Sequence, residues 1–215
     1  MGELLRRRAL MEDTKSGRLP TGFVELDYIE SDGTQIIVTS VIPHNTRTKF
    51  EFMPISRIGY RDNYFVGCWG SRSNQRYYAA YFNSDALFRF VTKRNEVIWI
   101  GQNFDSLKNS WHSVDYNNSQ HEVWFDGVKR GTSNGFVLEN TNTEPLKLFS
   151  LGNANQTSCG RLRLLVFEDN DSGIVIGNYI PCKRIADGAV GMYDLVSQNL
   201  YVSNVGNPFT AGPVI

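Results

Sequence analysis

The sequence predicts an all-β protein, and three observations carry that expectation. Short segments rich in Val, Ile, Tyr, Phe, Trp and Thr recur roughly every 8–12 residues with turn residues between them, the spacing of an antiparallel sandwich or barrel rather than of βαβ units. Aromatic residues make up 13% of the chain and charged residues 20%, a balance that suits half-buried pleated surfaces and not a coiled coil or a disordered chain. The 19 Gly and 19 Asn residues supply the backbone conformations that tight turns need. A length of 215 residues suits one domain with a small appendage.

Residues 1–17 (MGELLRRRALMEDTKSG) differ from the rest. They are rich in strong helix formers, and Gly17 and Pro20 stop the pattern. A short helical arm is expected over residues 1–18, ahead of a β domain over residues 19–215. Such a helix is stable only against a packing partner, so it is a candidate for joining copies of the chain into a homo-oligomer. Residues 23–30 and 34–39 read as strands separated by Ser31-Asp32-Gly33, a hairpin-type turn. Residues 48–53 (TKFEFM) alternate strictly and meet Pro54. Residues 63–69 and 76–82 flank a polar segment, and residues 86–92 and 96–100 follow. In residues 111–116, Trp111, Ser113 and Asp115 share one face and His112, Val114 and Tyr116 the other. Residues 121–125 and 128–131 are joined by Asp126-Gly127, which supplies the positive φ of a type I′ turn. Residues 146–152, 161–168 and 174–180 complete the strong segments.

Lys plus Arg and Asp plus Glu both number 22, so the formal net charge is zero. That balance argues against a nucleic-acid partner, which calls for a basic excess. The longest apolar runs are about five residues, far from the ~20 that span a bilayer, so no membrane insertion is expected. Arg6, Arg7 and Arg8 precede only Ala9-Leu10-Met11. This is not a signal-peptide core, and synthesis in the cytoplasm is expected. Cys68, Cys159 and Cys182 are too few and too scattered for a disulfide framework or a CxxC site, and read as buried thiols.

The run WHSVDYNNSQHEVWFDGVKRGT at residues 111–132 resembles a strand pair of laminin-G-like, concanavalin A-like domains. A sharper resemblance lies in LPTGFVELDYIESDGTQIIVTS (residues 19–40) and NYIPCKRIADGAVGMYDLVSQNLYVSNVGNPFTAG (residues 178–212). Together they look like the opening and closing stretches of a concanavalin A-like module found in phage and prophage tail proteins and gut-bacterial surface proteins. Ile36 and Val38 depart from it, standing where that module has Tyr and Asp. Residues 2–12 look like the leader preceding such modules. The resemblance implies a two-sheet antiparallel jelly roll and a non-catalytic binding module for a glycan or another cell-surface ligand, in a virion or surface structure.

Residues 67–82 (GCWGSRSNQRYYAAYF) gather aromatics around a polar loop, and Arg89 and Trp99 follow. Sugars are held by flat aromatic faces and by Arg or Asn hydrogen bonds. Trp69, Arg72, Arg76, Tyr77, Tyr78, Arg89 and Trp99 are therefore the expected ligand-binding set. Tyr77 and Tyr78 point to opposite faces, so only one of them can reach the ligand. Glu25, Asp27 and Glu30 form an E-x-D-x-x-E run that looks like the signature of retaining β-glucanases, whose chemistry needs two carboxylates about 5–5.5 Å apart. It sits in the opening strand, where the non-enzymatic module explains it completely, so no catalytic residue is expected. A retaining β-glycan hydrolase using Glu25, Asp27 and Glu30 is one alternative, and a purely structural or assembly role with no small ligand is the other. His44, His112 and His121 lack a nucleophile motif. No cofactor is implied, although Ca²⁺ suits loop oxygens such as those of Asp62-Asn63, Asp105, Asp169-Asn170-Asp171 and residues 153–155. None of these forms an established metal-ligand spacing, so no metal site is assigned.

Overall fold

This computed structural model describes residues 18–59, 62–69, 77–93, 96–132, 143–152 and 157–215, with backbone alone at 69, 77, 92–93, 96–100 and 132. The expected helical arm lies, apart from Arg18, outside the described residues. The described chain is almost entirely β. Its strands are β1 (Phe23–Glu25), β2 (Ile29–Asp32), β3 (Ile37–Val38), β4 (Thr46–Ser56), β5 (Asn63–Trp69), β6 (Tyr77–Phe82), β7 (Leu87–Lys93) and β8 (Glu96–Asn103). Next come β9 (His112–Asn117), β10 (Glu122–Phe125), β11 (Val128–Thr132), β12 (Lys147–Leu148), β13 (Cys159–Asp169), β14 (Val175–Arg184), β15 (Val190–Asp194), β16 (Asn199–Val202) and β17 (Thr210–Ala211).

Two antiparallel sheets form a jelly-roll sandwich. The larger runs β11-β10-β9-β4-β13-β14-β15-β16, with β1 on β14 and β2 between β13 and β17. The smaller runs β3-β12-β5-β6-β7-β8. The strand pattern of the sequence reappears closely over β5 to β11. At the expected type I′ turn, Asp126 and Gly127 take φ of 49° and 74°. Several expectations change. Residues 23–30 break into β1 and β2, and of residues 146–152 only β12 is strand. Ser31-Asp32-Gly33 does not close a hairpin, because β2 pairs in the larger sheet and β3 in the smaller. The turn hands the chain from one sheet to the other, and the buried side chains of Ile36 and Ile37 go with it. Nor does Pro54 end its strand. β4 continues to Ser56 because the register slips between Cys159 and Gly160, opposite Pro54, and a bulge tolerates a residue without an N–H. A short helix, α1 (Phe104–Leu107), was not signalled by periodicity. Asn103 caps it by accepting from the Asp105 N–H at 2.9 Å, and Phe104 and Leu107 are buried.

The terminal motifs turn out to be architecture. The Ser31 hydroxyl donates to Gln35 Oε1 at 2.9 Å and accepts from the Gly33 N–H at 3.0 Å, clamping the sheet-to-sheet turn. Arg184 grips Asp187 through two hydrogen bonds of 2.9 and 2.6 Å, and the guanidinium holds the Asp187 carboxyl down to about 2. Asp194 is fully buried and accepts from the N–H groups of Asn178, Val196 and Ser197, which fixes the turn after β15.

Between the sheets lies an aromatic layer. Phe52 in β4 sits 4.8 Å from Phe65 and 4.9 Å from Phe88, stacked on the latter at 15°. It also reaches Phe82, Phe50, Phe125 and His112. Phe65, Phe82 and Phe88 belong to the smaller sheet, so this one ring ties both layers together. Gly160 is required beside it, since a Cβ there would lie 2.6 Å from the Met53 carbonyl oxygen and 2.7 Å from the Phe65 ring. Cys68 and Cys182 are buried as expected, whereas Cys159 is half-buried.

Truncating Phe52 removes contacts in both sheets at once. Phe52→Ala is expected to cost about 3–5 kcal/mol, read from the urea midpoint, and a loss under about 1 kcal/mol would contradict the shared packing. Burial also pushes the Cys182 thiol up to about 12. The neutral thiol is favoured by folding, so its contribution is complete below the ordinary thiol range and falls as pH rises from about 9. A buried thiol reagent assay at pH 8 is expected to leave Cys68 and Cys182 unmodified until the chain unfolds.

Candidate functional site

The ligand-binding set expected from sequence maps to the smaller sheet, and the structure divides it. Arg72 and Arg76 lie outside the described residues, as do the side chains of Trp69, Tyr77 and Trp99. Tyr78 is a correction. Strand alternation turns it inward, it is fully buried, and it bonds Thr48 of the opposite sheet through its hydroxyl. Its ring meets Phe90 and Tyr116 edge-on at 5.4 and 5.6 Å. Desolvation raises its hydroxyl well above the ordinary tyrosine range. It is a core residue that no ligand reaches.

Residues alternating with that core face outward. Tyr64, Tyr81 and Arg89 are successive cross-strand partners on β5, β6 and β7. The rings of Tyr64 and Tyr81 stack at 4.7 Å. Both are buried in a second apolar cluster with Ala79, Val91 and Leu151. Their aromatic faces are therefore spent on packing, and Arg89 is half-buried beside them.

The outer face of the larger sheet is different. Its inward positions are apolar, and its outward positions carry charge and aromatics. Arg47 holds Asp115 through two hydrogen bonds of 2.9 and 2.8 Å. Arg161 donates to Glu30 at 2.6 Å and lies over the Tyr28 ring at 4.4 Å. Arg163 pairs with Glu51 and lies over the Trp111 ring at 4.3 Å. Tyr28 and Trp111 approach to 6.0 Å, so two guanidinium–aromatic stacks stand side by side. Arg163 reaches this place through a β-bulge: the β13–β4 register slips between Leu162 and Leu164, opposite Glu51. Arg163 and Leu164 are consecutive and both half-exposed, while Leu162 and Leu165 point into the core. Bulges commonly re-aim side chains at functional surfaces.

A recess of about 180 Å³ opens here, lined by Glu51, Trp111, His112, Ser113, Asp126 and Arg163. The Asp126 carboxylate accepts from the Ser113 N–H at 2.8 Å and meets His112 Nδ1 at 2.8 Å, and His112 Nε2 lies 3.0 Å from the Leu107 carbonyl oxygen. The Trp111/Ser113/Asp115 face was legible from alternation. Its partners Glu51 and Arg163 were not, because they lie 112 residues apart in the chain.

The other chemical candidates serve the fold. Glu25 on β1 pairs with Arg18 and Glu30 on β2 with Arg161, so each carboxylate is taken by its own guanidinium. Among the described residues no group of three or more His, Cys, Asp or Glu is placed to hold a metal ion. Asp62 accepts from the Ser84 N–H and the Tyr64 hydroxyl, Asp105 pairs with Lys108, and Asp169 accepts from the Asp171 and Ser172 N–H groups. Residues 153–155 lie outside the described set.

No protein-family model and no curated protein matches the sequence. Among solved structures, the chain is similar to the native heptameric SAP-like pentraxin from Limulus polyphemus. The identity is 13%, the TM-score is 0.51, and the match covers 90% of this chain and 96% of that one. It also matches the full extracellular region of zebrafish Gpr126/Adgrg6 at 10% identity and a TM-score of 0.49, over 89% of this chain and 26% of that one. At such identity the pentraxin likeness concerns the fold.

Arg163→Met keeps an apolar stem over Trp111 and removes the guanidinium. It is expected to shift the Trp111 indole N–H signal in a ¹⁵N–¹H spectrum and to cost about 1 kcal/mol or less, as for partly exposed pairs and stacks. An unmoved indole signal would mean that the stack does not persist in solution.

Proposed function

We propose that this chain is a non-catalytic binding module that recognises carbohydrate or another cell-surface ligand. The observation carrying this reading is the outer face of the larger sheet, where two guanidinium–aromatic stacks lie side by side and one of them, Arg163 on Trp111, lines a polar recess. Arg161 and Arg163 stand on β13, and Tyr28 and Trp111 are the residues immediately before β2 and β9, so the sheet anchors both stacks. The separate engagement of Glu25 and Glu30 by Arg18 and Arg161 speaks for structural ion pairs rather than for a nucleophile and an acid. A balanced charge favours a ligand held by short-range contacts over nucleic acid.

The resemblance of residues 19–40 and 178–212 to modules of phage and prophage tails and gut-bacterial surface proteins supports a setting in a tail or adhesion structure. Oligomerisation through residues 1–18 fits that setting. A glycan array probed with the full chain, with and without Ca²⁺, tests the reading. Binding to a defined glycan is expected, and an empty array together with no binding to bacterial surface polysaccharide would overturn it.

A further inference from the structure

We infer that the recess between Trp111 and Arg163 holds one neutral, hydroxyl-rich sugar residue. This deepens the binding-module reading and rests on it.

The recess is lined by two carboxylates and one guanidinium, and each of these charges already has a partner. Glu51 is paired with Arg163, and Asp126 faces His112 and the Ser113 N–H. A cationic ligand meets the Arg163 guanidinium, and an anionic one meets the Glu51 and Asp126 carboxylates. An apolar ligand strips water from all of them without returning a hydrogen bond. A hydroxyl group both donates and accepts, so a vicinal diol can bond a carboxylate and a guanidinium together. Capacity for this exists: a carboxylate has about four lone-pair sites and a guanidinium five N–H donors, and the Glu51–Arg163 pair uses one bond of each.

Size and rigidity agree. About 180 Å³ is roughly six waters at about 30 Å³ each and lies below the ~300–1,000 Å³ of drug-sized sites. One sugar ring suits that space, and a longer chain extends out of it. Arg163 already covers a face of Trp111 at 4.3 Å. Recognition therefore comes from hydroxyl hydrogen bonds rather than from stacking on an open indole. β4, β9, β13 and the Asp126 turn position the lining groups other than Trp111, which immediately precedes β9, so binding orders little.

The test is a ¹⁵N–¹H titration of the full chain with the methyl glycosides of glucose, galactose, mannose and N-acetylglucosamine. N-acetylneuraminic acid and glucosamine serve as charged comparisons. At least one neutral glycoside is expected to shift the Trp111 indole and Ser113 amide signals saturably. Glu51→Gln is expected to weaken that binding about tenfold and Ser113→Ala severalfold. Ser113→Ala keeps the test decisive if Glu51→Gln fails to fold. Shifts produced only by the charged sugars, or unchanged affinity in folded variants, would overturn the inference. Saturable shifts confined to β5–β8 would overturn the recess but keep the binding module. No shift with any glycoside, together with an empty array, would remove both.

Discussion

The structure depends on the aromatic layer centred on Phe52. One ring from the larger sheet lies among three from the smaller, at separations of 4.8 to 6.5 Å. This sets how closely the two sheets approach and which face of each strand turns inward. Gly160 is bare because Phe65 needs the room. Tyr78 crosses the same gap and satisfies its hydroxyl on Thr48, so even the polar atom of that layer is paired. Once the inward positions are committed to large apolar rings, alternation assigns everything between them to the outside.

The two outer faces that result have different fates. On the smaller sheet Tyr64, Tyr81, Ala79, Val91 and Leu151 close a second apolar cluster. Aromatic residues that look suited to a ligand are consumed there by packing. On the larger sheet the outward positions include Lys49 and the residues Arg47, Glu51, Asp115, Arg161 and Arg163, each of these five in a local ion pair.

Local patterns were informative where strands pair with sequence neighbours. The Asp126-Gly127 turn and the two faces of residues 111–116 follow from alternation and positive φ, and β5 appears with the boundaries expected for it. The reading failed where pairing is distant. Ser31-Asp32-Gly33 has the chemistry of a hairpin turn, yet β2 prefers β13 and β17, and no local signal distinguishes these outcomes. The aromatic residues between positions 69 and 99 are alike in composition, and only burial separates the core ring of Tyr78 from the rest.

By itself the sequence determined the all-β class and most strand positions. These depend on side-chain period and turn conformation, which operate over a few residues. Only the tertiary structure decided which outward face is polar and open, because that requires bringing Glu51 of β4, Arg163 of β13 and Trp111, just before β9, together. The bulge at Arg163 is the physical reason: it departs from strict alternation, and its effect appears only once β13 lies against β4.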